Sequence, residues 1–260
     1  MASRPSLIVI TGTSIDVGKS TLTKAIARAL IDQGKKVVAI KPVEVWCDRG
    51  APGTEDGEAL ARATGQRAPL AALVRLRPSA APALAADIEG VEIGWGELVR
   101  DIRRLAAGHD VALVESVGGA CTPITWRHDY IDLARELGAP ILLVGADHIQ
   151  GAAAAIMAMR AVAAAGVPLV AVAMNVASAA DFTTGSNAAV VRRFSGAARV
   201  VTVRNVRAGA PGGQDDPAAL VAAASQLDAV RQLAGWILEP ETALLMSAWQ
   251  RPAAGGGDSA

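Results

Sequence analysis

Short runs of β-branched apolar residues alternate along the chain with longer segments of helical periodicity. The apolar runs end at glycine, polar or charged residues, as expected of strands that are buried on both faces of a sheet. We predict six strands, at Leu7–Thr11, Val37–Ile40, Val111–Val114, Ile141–Val144, Leu169–Met174 and Val200–Val203.

The segments between these runs have the periodicity of helices. One helix is predicted from Lys19 to Gln33, with Gly34 as its C-cap, while residues 44–57 and 208–217 are predicted as loops. Further helices are predicted at Glu58–Thr64, around Leu98–Leu105, at Gly151–Ala164, and near 218–234 and 240–250. Strands that alternate with helices predict βαβ units, and hence a doubly wound α/β fold with a mostly parallel sheet. We expect one domain over residues 1–250 and a disordered tail over 251–260.

Composition and charge indicate which binding partners and which cell compartment are expected. The 260 residues carry no net charge and no long basic run, which argues against nucleic acid and against an anionic membrane surface. The two cysteines, Cys47 and Cys121, predict unpaired thiols in a reducing cytoplasm. The Ala-rich stretch over 151–177 is interrupted by Arg160, so we predict no membrane span there.

The first predicted strand leads directly into a glycine-rich loop. Residues 12–20 read GTSIDVGKS and lie between a strand and a helix, the context that a P-loop requires. Backbone N–H groups of such a loop bind phosphates, a lysine reaches the β- and γ-phosphates, and a serine hydroxyl binds Mg²⁺. We therefore predict a site for ATP and Mg²⁺ formed by Gly12, Thr13, Asp16, Val17, Gly18, Lys19, Ser20 and Thr21.

The spacing of this loop resembles that of the dethiobiotin synthetases, whose usual loop is G-T-D-T-x-V-G-K-[TS]. Five further segments resemble motifs of that family and follow in the family's order: AIKPV at 39–43, DGEAL at 56–60, APALAA at 81–86, LVESVGG at 113–119 and AVAMN at 171–175. The resemblance covers roughly residues 6–176. It implies an ATP-dependent ligase that makes a cyclic urea from 7,8-diaminopelargonate and CO₂, and that forms homodimers.

The resemblance also implies roles for individual residues. Lys41, as the lysine of the KPV motif, would act beside Lys19 as a catalytic residue by stabilising the carbamate and the transferred phosphoryl group. Asp56 and Glu115 would join Ser20 around Mg²⁺, which prefers oxygen ligands. Asn175, at the end of the fifth predicted strand, would contact the nucleotide base.

Several departures from the family pattern fall where the organic substrate is expected. Ile15 replaces a threonine, and a bulky segment replaces a small polar turn after KPV. The departures that we expect around the substrate are Ile15, Val45, Trp46, Ala83, Ser116, Val117 and the segment 148–153.

Other functions therefore stay open. One alternative is a regulatory or scaffold ATPase of the same superfamily that has no activity in the biotin pathway. A kinase or GTPase is a third possibility, but the guanine-specific N-K-x-D motif is absent after Met174, which favours ATP.

Overall fold

A computed structural model gives the fold and describes residues 5–48, 55–176, 180–197, 199–204 and 227–239. Six strands form one parallel sheet in the order β2-β5-β1-β6-β7-β8, and β3 pairs with β4 separately, also in parallel. The strands are β1 (Ser6–Gly12), β2 (Val37–Ile40), β3 (Val43–Glu44), β4 (Val74–Arg75), β5 (Val111–Gly119), β6 (Ile141–Ala146), β7 (Leu169–Asn175) and β8 (Val200–Val203).

Helices cover both faces of the six-stranded sheet. They are α1 (Lys19–Asp32), α2 (Asp56–Thr64), α3 (Pro82–Glu89), α4 (Trp95–Ala106), α5 (Tyr130–Leu137), α6 (Gly151–Ala164), α7 (Asn187–Ser195) and α8 (Asp228–Leu238). Buried apolar residues of the sheet form two core clusters with these helices. One cluster includes residues of α4, α5, α6 and α7, and the other includes residues of α1 and α8. The predicted doubly wound parallel fold is confirmed.

All six predicted strands are present, but the region around residues 44–57 differs from the prediction. It was predicted as a loop, whereas Glu44 belongs to β3 and Asp56 begins α2. The helices α3, α5 and α7 were not predicted, because each is short and contains too few apolar residues to show a clear helical period.

Strand β5 is longer than predicted, and the extension has a physical reason. It passes Glu115 and continues to Gly119, which pairs with Gly12 of β1. A Cβ atom on Gly119 would lie 3.3 Å from the carbonyl oxygens of both Gly12 and Thr13. Two glycines thus allow the strands to stay close up to the phosphate loop, and Glu115 lies within the strand rather than at its end.

Part of the C-terminal prediction lies outside the described residues, namely the loop at 208–217, the helix at 240–250 and the tail at 251–260. Of the helix predicted near 218–234, only the part from residue 227 is described, and there α8 runs to Leu238. The single-domain organisation stays a prediction. Among the helices of the described ranges, none is both long and apolar enough to cross a membrane.

Candidate active site

The loop between β1 and α1 is fixed from both sides by hydrogen bonds. The Thr13 N–H donates to the carbonyl of Val144 over 2.9 Å, and the Asn175 side-chain amide donates to the carbonyl of Val17 over 2.9 Å. Asp16 and Gly18 have φ angles of 54° and 85°, in the left-handed region. Loops with this kind of backbone turn successive N–H groups toward one point and bind anions.

The packing around Gly12 leaves no room for a side chain. A Cβ atom there would lie 2.8 Å from the carbonyl oxygen of Ser14 and 2.9 Å from a methyl carbon of Val17. Gly12, Thr13 and Val17 therefore shape the loop from beneath, whereas Asp16, Gly18, Lys19, Ser20 and Thr21 line the crevice above it.

Lys19 is buried and crosses the loop, where its Nζ donates to the carbonyl of Ser14 over 2.9 Å. Burial, followed by the neighbouring charge of Lys41, lowers the pKa of Lys19 to about 8. Phosphate oxygens at this place would favour the charged form of the lysine.

Four of the predicted residues meet in one hydrogen-bonded group, here named the Lys41 cluster: Ser20, Lys41, Asp56 and Glu115. Lys41 Nζ donates to Glu115 Oε1 and to Asp56 Oδ2, each over 2.8 Å. Ser20 Oγ donates to the same Glu115 Oε1, also over 2.8 Å. The four side chains come from α1, the end of β2, the start of α2 and the interior of β5.

The charges of the Lys41 cluster stabilise one another. Burial alone would lower the pKa of Lys41, but Glu115 and Asp56 outweigh it and raise that pKa. Burial would likewise raise the pKa of Asp56, but the Lys41 ammonium outweighs it and lowers that pKa. Lys41 and Asp56 are therefore both charged at neutral pH.

The oxygen atoms of this cluster fit Mg²⁺. Glu115 Oε2 is buried and has no hydrogen-bond partner among the described residues, so one carboxylate oxygen is available for a further ligand. Ser20 supplies a hydroxyl and Asp56 a second carboxylate. Within the described ranges no three His, Cys, Asp or Glu side chains come together as a metal site. Mg²⁺ usually takes one or two carboxylates together with substrate phosphates, and Asp56 and Glu115 offer two carboxylates.

A crevice of about 510 Å³ opens above the loop and the Lys41 cluster. It lies at the carboxyl ends of the parallel strands, where ligands of doubly wound folds bind. Asn175 and Val176 contribute to its wall at the end of β7. Other residues that line it are Ile15, Val45, Trp46, Ser79, Ser116, Val117 and Gly118.

The structure brings only some of the departures from the family pattern to this crevice. Ile15 and Trp46 line it and are 66% and 63% exposed, and Trp46 has a φ angle of 63°. Ser116 also lies there, but its hydroxyl donates to Thr11 Oγ1 over 3.0 Å, away from the crevice. Two apolar side chains thus stand free at the mouth of the crevice.

Ala83 does not line this crevice and lies instead in a second cavity of about 570 Å³ with Trp95 and Trp126. None of the residues 148–153 lines the crevice either. The polypeptide after β6 turns into α6 instead, and Gly151 packs against the carbonyl of Ala146.

Glu44 is a functional candidate that the sequence reasoning missed. It is buried, and its carboxylate accepts the backbone N–H of Asp56 over 2.5 Å and that of Gly57 over 3.0 Å. The available signal was a glutamate placed directly after the KPV segment, twelve residues before the acidic start of α2.

Comparisons with known proteins agree with this geometry. A family model described as AAA domain matches residues 6–208. The ATP-dependent dethiobiotin synthetase BioD of Anaeromyxobacter sp. (strain Fw109-5) is 32% identical over 203 residues, which are 77% of this chain and 90% of the relative. The protein of the same name from Aquifex aeolicus (strain VF5) is 30% identical over 189 residues, 73% of this chain and 84% of the relative.

Among solved structures, a ParA family ATPase from Chlorobium tepidum TLS superposes with a TM-score of 0.54 at 14% identity, covering 91% of this chain and 99% of that one. This likeness shows a shared fold. The similarity to the two synthetases, by contrast, extends over most of both chains. The chain belongs to the dethiobiotin synthetase family.

Proposed function

We propose that the protein is an ATP-dependent ligase that closes a cyclic urea from 7,8-diaminopelargonate and CO₂. The observation that carries the proposal is the Lys41 cluster, which places a buried ammonium beside two carboxylates and the P-loop serine. Family membership supplies the class of reaction, and the cluster supplies charges where a phosphoryl group would be transferred.

The proposed reaction has three steps. One amine of the substrate adds to CO₂ and loses a proton, which gives a carbamate. A carbamate oxygen then attacks the γ-phosphorus of ATP, and ADP leaves. The second amine attacks the carbamate carbon and loses a proton, and phosphate leaves as the urea ring closes. Positioning and charge stabilisation dominate in such phosphoryl transfers.

Each residue has a proposed task in these steps. Lys19 holds the β- and γ-phosphates, and Lys41 stabilises the carbamate and the transferred group. Ser20, Asp56 and Glu115 would hold Mg²⁺, which would neutralise charge on the phosphates. The side-chain carbonyl oxygen of Asn175 would accept a hydrogen bond from the exocyclic amine of adenine, while the side-chain NH₂ group keeps the loop in place.

A second candidate is a nucleotide-dependent protein of the same family that does not act on the diamine. The observation that favours it is the exposed pair of apolar side chains, Ile15 and Trp46, at the crevice. Both stand where the family has small or polar residues, so the pocket for the second substrate differs.

Phosphate release from ATP–Mg²⁺ tests the two candidates. We expect 7,8-diaminopelargonate with bicarbonate to stimulate release by the purified protein, and mass spectrometry to detect the cyclic urea. Lys19→Ala is expected to abolish both signals, because it removes the phosphate contact. Binding of ATP without stimulation by the diamine would reject the ligase and favour the second candidate.

Two further properties are proposed from family membership alone. We propose that the protein forms homodimers and that it acts in the cytoplasm. Light scattering and cell fractionation, respectively, test them.

A further inference from the structure

The start of α2 is fixed by a side chain from outside the helix. Glu55 occupies the N-cap position but makes no capping bond, because its carboxylate accepts two hydrogen bonds from Arg75, over 2.7 and 2.8 Å. Glu44 of β3 takes over this function through the N–H groups of Asp56 and Gly57. The first turn of α2 is thus tied to the strand pair β3–β4.

We infer that Glu44 is a positioning residue of the active site, which sets the place of Asp56 beside Lys41. The expected effect of Glu44 on turnover rests on the proposed function. The expected effect of Glu44 on the binding of nucleotide and Mg²⁺ rests on the geometry alone. Glu44 itself contacts neither the P-loop nor Lys41 through a hydrogen bond of the described residues.

Burial is the first argument for this role. Glu44 is 7% exposed, and a carboxylate is costly to bury unless its charge is used. Its two oxygens each bind a backbone N–H at the positive end of a helix, which is where a carboxylate is stabilised. Burial nevertheless keeps the pKa of Glu44 above its usual value.

Steric confinement is the second argument. A Cβ atom on Gly57 would clash with the backbone nitrogen of Ala72, so the helix start lies directly against that segment. Glu44 therefore holds the first turn on one side, and the backbone of Ala72 confines it on the other. Asp56 is consequently placed with its carboxylate on Lys41, although its side chain is 44% exposed.

The contacts predict a specific pattern of effects when Glu44 is changed. Loss of the helix tie moves Asp56, so the Lys41 cluster loses one of its two carboxylates. The P-loop is held by hydrogen bonds to Val144 of β6 and Asn175 of β7, and neither residue belongs to α2. Affinity for nucleotide without metal should therefore stay, while the Mg²⁺-dependent part of binding and the rate of turnover should fall.

The test compares Glu44→Gln with Asp129→Asn. Asp129 also accepts two backbone N–H groups at a helix start, from Ile131 and Asp132, but it does so at α5 and does not line the crevice. Binding of a fluorescent ATP analogue is measured in EDTA and across a Mg²⁺ titration, together with kcat, KM for ATP and thermal unfolding.

We expect Glu44→Gln to raise the Mg²⁺ concentration for half-maximal binding by roughly 10-fold and to lower kcat by roughly 10–100-fold. Affinity in EDTA should stay at the wild-type value. Asp129→Asn should lose similar thermal stability and keep the wild-type Mg²⁺ dependence and kcat. A Glu44→Gln protein that loses only stability, like the control, would overturn the inference.

Two safeguards keep the outcomes distinct. If Glu44→Gln does not fold, Glu44→Asp is measured instead. This variant keeps the charge, but its side chain is one methylene too short to reach both N–H groups. A wild-type Mg²⁺ dependence of Glu44→Asp would overturn the inference. The Mg²⁺ titration needs no second substrate. It therefore tests Glu44 even if the diamine fails to stimulate ATP turnover and the proposed ligase activity is rejected.

Discussion

Lys41 shows how one buried cation can organise a site. Its side chain is 2% exposed, and its partner Glu115 is fully buried. Neither charge has water as a substitute partner, so each depends on the other. Removing one member of a buried ion pair costs more than replacing both, because the remaining charge is left uncompensated.

A double-mutant cycle measures this dependence. We expect Lys41→Met to lower the free energy of unfolding by about 3–5 kcal/mol, because Glu115 is then buried without its cation. Adding Glu115→Gln to Lys41→Met should recover a large part of the lost free energy of unfolding. Urea unfolding of the four proteins gives the coupling, and simple additivity of the two single losses would contradict the ion-pair account.

The two cysteines differ in accessibility, and this gives a prediction that depends on pH. Cys47 is 1% exposed, and burial raises its pKa to about 11, whereas Cys121 is exposed. The thiolate is the reactive form. We expect one fast thiol in the native protein with a disulfide reagent at pH 8, with a rate that rises with pH.

Cys121→Ser should remove the fast phase, and urea should make both thiols of the wild type react. Equal rates for the two thiols in the native protein would contradict the burial of Cys47.

At the scale of elements, the contact of α2 with the segment before β4 depends on a missing side chain. We expect Gly57→Ala to lower the free energy of unfolding by roughly 1–3 kcal/mol, because its Cβ atom meets the backbone of Ala72, which cannot move aside easily. The same change should lower turnover, since Asp56 is the neighbouring residue.

Gly235→Ala is the matched control, because Gly235 lies within α8 and, outside the backbone of that helix, no described residue has an atom within 4 Å of an added Cβ. There the substitution should stabilise the protein by roughly 0.4–1 kcal/mol through a lower entropy of the unfolded chain. Urea midpoints that shift in the same direction for both variants would contradict the steric argument.

The elements also show what the sequence could predict and what it could not. The strands of the main sheet were predictable because each is a continuous apolar run that is buried on both faces. The pair β3–β4 was not, since two residues per strand carry no period and the pairing joins segments about thirty residues apart.

The site divides in the same way. Lys19 and Ser20 follow from a local loop pattern, and Lys41, Asp56 and Glu115 were named from family motifs. Their meeting in one cluster, however, depends on the order of strands in the sheet. Glu44 was missed because its function depends on a helix start that lies twelve residues later.

At the scale of the whole molecule, α8 completes the core although it lies beyond the residues matched by the family model. It packs on α1, and Val230, Leu233, Ala234 and Ile237 are buried. The helix that begins at the phosphate loop is therefore supported by a segment near the other end of the chain.

We expect Leu233→Ala to lower the free energy of unfolding by roughly 2–5 kcal/mol, because Leu233 is fully buried between α8 and the rest of the core. Leu84→Ala in α3 is the control, since Leu84 is 45% exposed and should cost much less. Thermal or urea unfolding measures both. Equal losses would show that α8 does not belong to the cooperative core.

The place of β1 in the sheet also bears on how the chain is made. Among the described strands, β1 pairs with β5 and β6, and β2 pairs with β5. Before β5 is made, the polypeptide grows by about a hundred residues beyond β1 and by about seventy beyond β2. At synthesis rates of about 5–20 residues per second, β1 waits roughly 5–20 s and β2 roughly 4–15 s. During that time two apolar strands stay unpaired on the ribosome. ATP can therefore stabilise the finished sheet but cannot guide its early assembly, and chaperones that shield apolar segments should act on the first half of the chain.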